Sequence, residues 1–278
     1  MKKMIALLLV LVLCVALCAC GANKEEAPAN PYNLVTPGQL TVATSPDFAP
    51  YEFYSIDDKG NYTLAGFDMA LAQYIADSMG LELEVIPMDF DGTLTELAAK
   101  TVDLSIAGYS PDPSRMDKMD FSDLYYMGGQ SFCCTQANKD KFKTLADTNN
   151  SEYSIGAQNG SIQMDLANAN SPEADIVALQ KVTDIIAELI AGTLDGAYIE
   201  TAVAETYAKN YPELCVALDV PYEDAEGSAV GVSKGNTALL EGVNAAIKQA
   251  LSDGSMDRFV AEANELASGN ILEGLLDG

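Results

Sequence analysis

The stretch GFDMALAQYIADSMGLELEVIPM (Gly66–Met88) changes its hydrophobic period partway along. Up to Met79 the apolar residues keep to one helical face, with Phe67, Leu71, Tyr74 and Ile75 at three- and four-residue steps, and Gly80 supplies a stop. From Leu81 the step falls to two, Leu83 and Val85 alternating with Glu82 and Glu84. A helix that runs through a glycine into a strand is the second half of a βαβ unit, and the alternation extends both ways. LTVATS (Leu40–Ser45) precedes it as a β-rich run closed by Pro46; GTLTELAAKT (Gly92–Thr101) follows as a helix and VDLSIAG (Val102–Gly108) as a buried strand. This order predicts a mainly parallel sheet covered by helices.

A second series begins after Gly128–Gly129. Strands are expected at Ser131–Thr135, YSIGAQ (Tyr153–Gln158), DIVAL (Asp175–Leu179), DGAYIE (Asp195–Glu200), CVALDVPY (Cys215–Tyr222) and AVGVSK (Ala229–Lys234). Helices are expected from NGSIQMDLAN (Asn159–Asn168) and over 183–191, 201–210, 237–252 and 255–267. Two α/β units of comparable size suggest two lobes with a cleft between them. The acid-rich segments YEDAEG and DKMDFSD read as solvated faces.

The N-terminus is a targeting segment. Lys2 and Lys3 form a positive n-region, and Ile5–Leu17 an apolar run too short to span a bilayer comfortably. The segment closes LCAC before Gly21 and resembles a bacterial lipobox, which makes Cys20 the lipidated first residue of the mature chain; Cys18 would put bulky Leu17 at the cleavage position. A plain secretory cut nearby is the alternative. Residues 1–19 are then signal peptide and 20–33 a polar, Pro-containing tether. The product is expected to be exported and held at the outer face of the cytoplasmic membrane by the lipid on Cys20, with no other membrane contact.

Composition excludes whole classes of chemistry. Fifteen Lys and Arg against 41 Asp and Glu give a formal charge of −26, or −28 once Lys2 and Lys3 leave with the signal, which argues against nucleic acid as a partner. There is no histidine, so Ser-His-Asp and Cys-His catalysis and His-ligated zinc are ruled out. Cys133, Cys134 and Cys215 remain beyond the signal, with no CxxC, so no metal and no other cofactor is expected. Adjacent on a strand, Cys133 and Cys134 would point to opposite faces. Free buried thiols are expected, a bond from one of them to Cys215 being the open alternative.

Seven segments taken in order carry a family likeness: FAPYEF (Phe48–Phe53), LAGFDMALAQYIADSMG, MDFDGTLTEL, AGYSPDPSR with MDFSDLYY, IGAQNGSIQ, LDGAYIE and SDGSMDRF. Together they resemble the amino-acid-binding class of extracellular solute-binding proteins of ABC importers. The resemblance implies a two-lobe, type II periplasmic-binding-protein-like α/β fold, each lobe a mainly parallel sheet flanked by helices, joined by two hinge strands. Lobe 1 would comprise 34–124 plus 229–278, lobe 2 residues 130–224, and the hinges about 125–129 and 224–228. It also implies a monomer without enzymatic activity that takes a free amino acid between closing lobes and hands it to an ABC permease with its ATPase subunits; this chain itself has no P-loop.

Site residues follow from the same resemblance. Arg115, one of only two arginines, matches the residue that grips the ligand α-carboxylate, a role suited to its planar fork. Ser161, at a helix start, would meet the same carboxylate; Gly108 and Ser110 would meet the ammonium and carboxylate, Gly108 by its backbone only. Glu200 stands where an aspartate pairing the α-ammonium is usual, so its extra methylene either shifts the pose or points the acid elsewhere. Phe48 and Phe90 would sandwich the ligand side chain, with Ser45, Gln158 and Ile162 around it. The serine and glutamine favour a neutral polar or aromatic side chain, although Asp47, Asp89 or Asp91 could supply an acid for a cationic one. Two rivals are a dehydratase-like enzyme of the same fold with Glu200 as general acid, and a sensor module presenting its ligand to a separate receptor.

Overall fold

The computed structural model describes residues 30–57, 59–222 and 227–268. The expected signal peptide, Cys20 and most of the tether lie outside the described residues, as do most of the expected return hinge and the last ten positions. No helix among the described residues is long and apolar enough to cross a membrane.

In chain order the first unit contains β1 (Gln39–Thr44), β2 (Asp47–Phe48), β3 (Glu52–Ile56), β4 (Tyr62–Ala65), α1 (Phe67–Met79), β5 (Glu82–Pro87), α2 (Phe90–Ala99), β6 (Leu104–Ser105) and β7 (Met119–Tyr126). The second contains β8 (Gln130–Thr135), β9 (Ser154–Gln158), α3 (Ile162–Asn170), β10 (Asp175–Leu179), α4 (Val182–Ala191), β11 (Gly196–Glu200), α5 (Thr201–Asn210) and β12 (Leu214–Val220). Then come β13 (Ser228–Ser233), α6 (Thr237–Ser252) and α7 (Ser255–Ala267).

The strands form two five-stranded sheets, ordered β5-β1-β6-β13-β7 and β10-β9-β11-β8-β12, and a small antiparallel sheet β2-β3-β4. In the first sheet β5, β1 and β6 are parallel and β13 is antiparallel to both β6 and β7. In the second, β10, β9 and β11 are parallel and β8 is antiparallel to β11 and β12. Each sheet therefore has four strands pointing one way and one reversed. The reversed strand is in both cases the one by which the chain arrives from the other sheet, β8 after β7 and β13 after β12. A chain leaving one sheet by a strand's C-terminal end enters its neighbour from the facing side, so it must run backwards there.

Burial explains the patterning. Residues four apart on α1 and on α6 pack Phe67, Leu71, Ile75, Leu239 and Val243 over the first sheet, while Ile185, Ile186 and Leu189 of α4 cover the second. α1 ends where the sequence predicts, at Gly80 in the left-handed region (φ 68°), whose N–H reaches back to the carbonyls of Ala76 and Asp77. Cys133 and Cys134 do point to opposite faces, into different core clusters. All three described cysteines are free and buried; Cys134 faces Cys215 across β8 and β12 with the sulfurs 3.8 Å apart.

Two details differ from expectation. Only part of the DKMDFSD run is a solvated face: Met119–Tyr126 is β7, paired to β13, with Met119, Ser122 and Tyr125 buried, while Asp117, Lys118 and Asp123 are exposed. Its edge position satisfies the backbone on one side and leaves the acids water, which a periodicity interrupted by charge did not reveal. Tyr125 lies near the end of this strand, which runs on toward the expected crossing at about 125–129. Of VDLSIAG only Leu104–Ser105 pairs as a strand, although Val102 to Ala107 are all buried.

The small sheet locks α1 in place. Phe67 and Asp68 donate their N–H groups to the carbonyls of Pro50 (3.1 Å) and Tyr51 (2.9 Å). The approach is close enough that a Cβ on Gly66, whose φ is 119°, would run into the Tyr51 carbonyl. Gly66→Ala is therefore expected to lower unfolding stability by about 2–4 kcal/mol, read by urea denaturation. A loss below about 0.5 kcal/mol, the range of neutral surface changes, would show that this contact is not maintained.

Candidate functional site

The C-terminal ends of the parallel strands in both sheets face one another, which is where open α/β sheets collect ligand-binding loops. Ser45 follows β1, Phe90 opens α2 just past β5, and Ala107–Ser110 follow β6. From the other side come Gln158 at the end of β9, Ile162 opening α3 and Glu200 ending β11. Arg115 ends a 3-10 turn at Pro113–Arg115, started by Asp112, whose side chain accepts the Ser114 N–H at 2.7 Å.

Seven of the expected residues come together: Phe48, Phe90, Gly108, Ser110, Arg115, Gln158 and Ile162 line one cavity, with Ala107, Tyr109 and Gln163. Its volume is only about 10 Å³, room for one water at most. The cleft is closed, and protein groups occupy each other. Arg115 Nη2 donates to the Gly160 carbonyl across the cleft at 3.1 Å, and its guanidinium lies 5.7 Å from the Phe90 ring centre and 5.8 Å from that of Tyr109. The two rings meet edge to face at 5.3 Å, which fixes the surface on which the fork rests. Gly108 sits at φ 58° with its N–H on Asp68 Oδ2 at 2.9 Å, and a Cβ there would come within 2.8 Å of the Phe48 ring. Where a serine would crowd Phe48, glycine lets the ring close over the turn.

Three expected residues do not line this cavity. Ser161 is the N-cap of α3: its Oγ accepts from Met164 N at 3.2 Å and donates to the Gln158 carbonyl at 2.8 Å. Glu200 caps α5, its Oε2 accepting from Val203 N at 2.9 Å, and it turns toward the crossing between β7 and β8. There Glu200 Oε1 and the Tyr51 hydroxyl lie 2.7 and 2.9 Å from where a Cβ on Gly128 would stand. The longer glutamate side chain reaches the floor of the crossing rather than the Arg115 cavity. Ser45 donates to Asp47 Oδ1 at 2.7 Å and lines a different, larger cavity of about 380 Å³ with Asp47, Tyr54, Tyr62, Met88, Asp89 and Lys181.

Sequence reasoning gave Asp47 only a reserve role, yet it is the main tie between the halves. Its Oδ2 accepts from Val182 N (2.6 Å) at the start of α4, whose own N-cap, Lys181, supplies no side-chain bond. The same oxygen takes Gln158 Nε2 at 3.0 Å, and the Asp47 carbonyl takes the Tyr207 hydroxyl at 3.4 Å. A carboxylate of one sheet unit thus caps a helix of the other, a charge-assisted bond on the positive end of the helix dipole. Asn159 Nδ2 to Asp91 Oδ2 at 3.1 Å and a bond from the Tyr222 hydroxyl to Asp112 complete the closure. The only sequence signal for Asp47 was an acid within a short apolar run beside Phe48. No group of three or more acids or cysteines that could hold a metal occurs among the described residues.

Residues 40–263 match the family model of bacterial extracellular solute-binding proteins, family 3, and the chain belongs to that family. It is 32% identical over 264 residues to the arginine-binding extracellular protein ArtP of Bacillus subtilis (strain 168), covering 93% of this chain and 96% of the relative. It is 26% identical over 214 residues to the cyclohexadienyl dehydratase of Pseudomonas aeruginosa (strain PAO1), covering 77% and 78%. Among solved structures, the substrate-binding protein AbpA from Streptococcus pneumoniae Canada MDR_19A, crystallised with L-arginine, superposes with a TM-score of 0.79 at 31% identity, covering 84% of this chain and 97% of that one. The two-lobed type II periplasmic-binding-protein fold expected from the sequence is the fold observed.

Burial gives the cleft an unusual pH response. It pushes the carboxyls of Asp47 and Asp68 up to about 6 and that of Glu200 to about 7, only partly offset by their hydrogen bonds. Their ordinary values are 3.8 for the aspartates and 4.5 for the glutamate. The folded chain therefore binds more protons than the unfolded one between those limits, and stability declines as pH rises through them. The melting temperature should be higher at pH 5 than at pH 8, and Asp47→Asn should narrow the difference. A melting temperature that is flat or falls toward pH 5 would contradict this account of the buried acids.

Proposed function

We propose that this protein captures a free amino acid between its two lobes and delivers it to an ABC permease energised by separate ATPase subunits. The observation that carries the reading is Arg115: a lone arginine seated on the Phe90 and Tyr109 rings, its fork aimed across the cleft at the Gly160 carbonyl just ahead of α3. When the cleft opens, that fork is free for an α-carboxylate, which makes two parallel charge-assisted bonds where a backbone carbonyl makes one. Phe48 and Phe90 then flank the ligand side chain, and Gly108 and Ser110 offer a carbonyl and a hydroxyl to its ammonium and carboxylate. Glu200 and Ser161 are assigned supporting roles, since their polar atoms already cap α5 and α3.

The side chain we assign is cationic, in place of the neutral polar or aromatic one expected from Ser45 and Gln158. Asp47 supplies the acid that position 45 lacks: it is buried, hydrogen-bonded to both residues, and borders the larger cavity as well. The relatives named for arginine point the same way. In this reading 34–124 with 229–278 form one lobe and 130–224 the other. They rotate about 125–129 and 224–228, and the protein works as a monomer tethered at the outer face of the cytoplasmic membrane through a lipid on Cys20. It is read as a binding protein and not an enzyme, although a dehydratase stands among its relatives.

Calorimetric titration of the soluble chain with arginine, its uncharged isostere citrulline and an aromatic amino acid tests this. Arginine should bind tightest. Arg115→Ala should weaken every amino acid about 100-fold, close to 3 kcal/mol, and Asp47→Asn should weaken arginine far more than citrulline. Tighter binding of the aromatic ligand would remove the cationic assignment, and no binding of any amino acid would remove the whole reading. Product formed from prephenate or arogenate would instead favour the enzymatic alternative.

A further inference from the structure

Six buried side-chain oxygens lack a hydrogen-bond partner among the described residues, and four of them fall in one place: Glu52 Oε1 and Oε2, Asp68 Oδ1 and Tyr125 Oη. Glu52 opens β3 and Asp68 sits in the first turn of α1; neither side chain is exposed at all. Gly66 presses the start of α1 against the Pro50–Glu52 segment, and so brings the two carboxyls together. The charged groups that reach Glu52 are themselves acids, Asp68 from α1 and Asp47 from β2. Tyr125 of β7 faces both, with Tyr51 next to it and Glu200 beyond. Two carboxylates cannot both stay ionised side by side, out of water and without a cation; one proton relieves the pair at once.

We propose that Glu52 and Asp68 share a single proton and that, as a pair, they are positioning residues that hold the Gly108 turn against the binding cleft. Asp68 is the ionised member. It lies where the α1 dipole favours negative charge, and its Oδ2 accepts the Gly108 N–H at 2.9 Å. Glu52, with no N–H on either oxygen, carries the proton and directs it to Asp68. The Gly108 amide is thus clamped by an anion whose own partner is an acid, and its carbonyl stays directed at the ligand. Burial raises the Glu52 carboxyl well above its ordinary range, in the same sense. The link to ligand binding rests on the amino-acid reading above; the proton and the Gly108 clamp do not.

The test combines infrared difference spectroscopy with amide exchange on the ligand-free chain. Wild type at pH 9, where Asp47, Asp68 and Glu200 are ionised, should show a buried protonated-carboxyl C=O band that Glu52→Gln, which keeps a donor toward Asp68, removes while the protein remains folded. Asp68→Asn should speed exchange of the Gly108 amide about tenfold or more, as expected for loss of a hydrogen bond to a charged acceptor. Arginine affinity should fall by a similar factor in Asp68→Asn and by less than about threefold in Glu52→Gln. Absence of the band in wild type, its survival in Glu52→Gln, or unchanged Gly108 exchange in a folded Asp68→Asn would each overturn the proposal. Should Asp68→Asn not fold, the Glu52→Gln difference spectrum decides alone. Should wild type bind no amino acid, the band and the exchange rate still decide it.

Discussion

The chain crosses between its two sheets twice, and that constraint organises everything else. Each crossing leaves a sheet by the C-terminal end of a strand, so both sheets must turn those ends toward a common space. The arriving strands, β8 and β13, are thereby forced to run against their neighbours. The loops that carry Ser45, Phe90, Gly108, Gln158 and Glu200 then have only one place to go. A site between the halves is a consequence of how the backbone travels, before any side chain is considered.

What fills that space is governed by a shortage of positive charge. In a chain of formal charge −26, few cations are available to neutralise acids drawn into the cleft. Backbone N–H groups at helix starts do much of the work instead: Val182 for Asp47 and Val203 for Glu200, with the Gly108 turn serving Asp68. Such donors stabilise an anion without bringing a side chain, but they cannot follow it if it moves. The acids are therefore tied to particular arrangements of the two halves, and their proton affinities report on the fold. Arg115 stands apart as a cation with aromatic faces beneath it and a backbone carbonyl across the cleft, a partner easily exchanged.

Much of the architecture was legible because burial imposes periods on sequence. α1, α5, α6 and α7 and the strands β9, β10 and β11 stand where hydrophobic spacing and glycine stops put them, to within a residue or two. The edge strand β7 was hidden, since one open side let acids interrupt its pattern, and the small β2-β3-β4 sheet is too short to show a period. In the cleft, residues whose backbone position sufficed were readable: Phe48, Phe90, Gly108, Ser110 and Arg115 do converge. Ser161 and Glu200 also carry helix-cap bonds, because a helix start and a binding site ask for the same polar atoms.

The sequence by itself determined the class of fold, the absence of histidine chemistry, and the placing of Arg115, one of two arginines, in the loop between β6 and β7. Each of these depends on composition or on local periodicity. Only the tertiary structure decided that Asp47 caps a helix more than 130 residues away, that Glu200 turns to the crossing, and that Glu52 and Asp68 meet behind Gly108. These are contacts between segments remote in the chain, set by how sheets and helices pack. No local rule encodes the partner of a buried acid, because that partner exists only once the chain has closed around it.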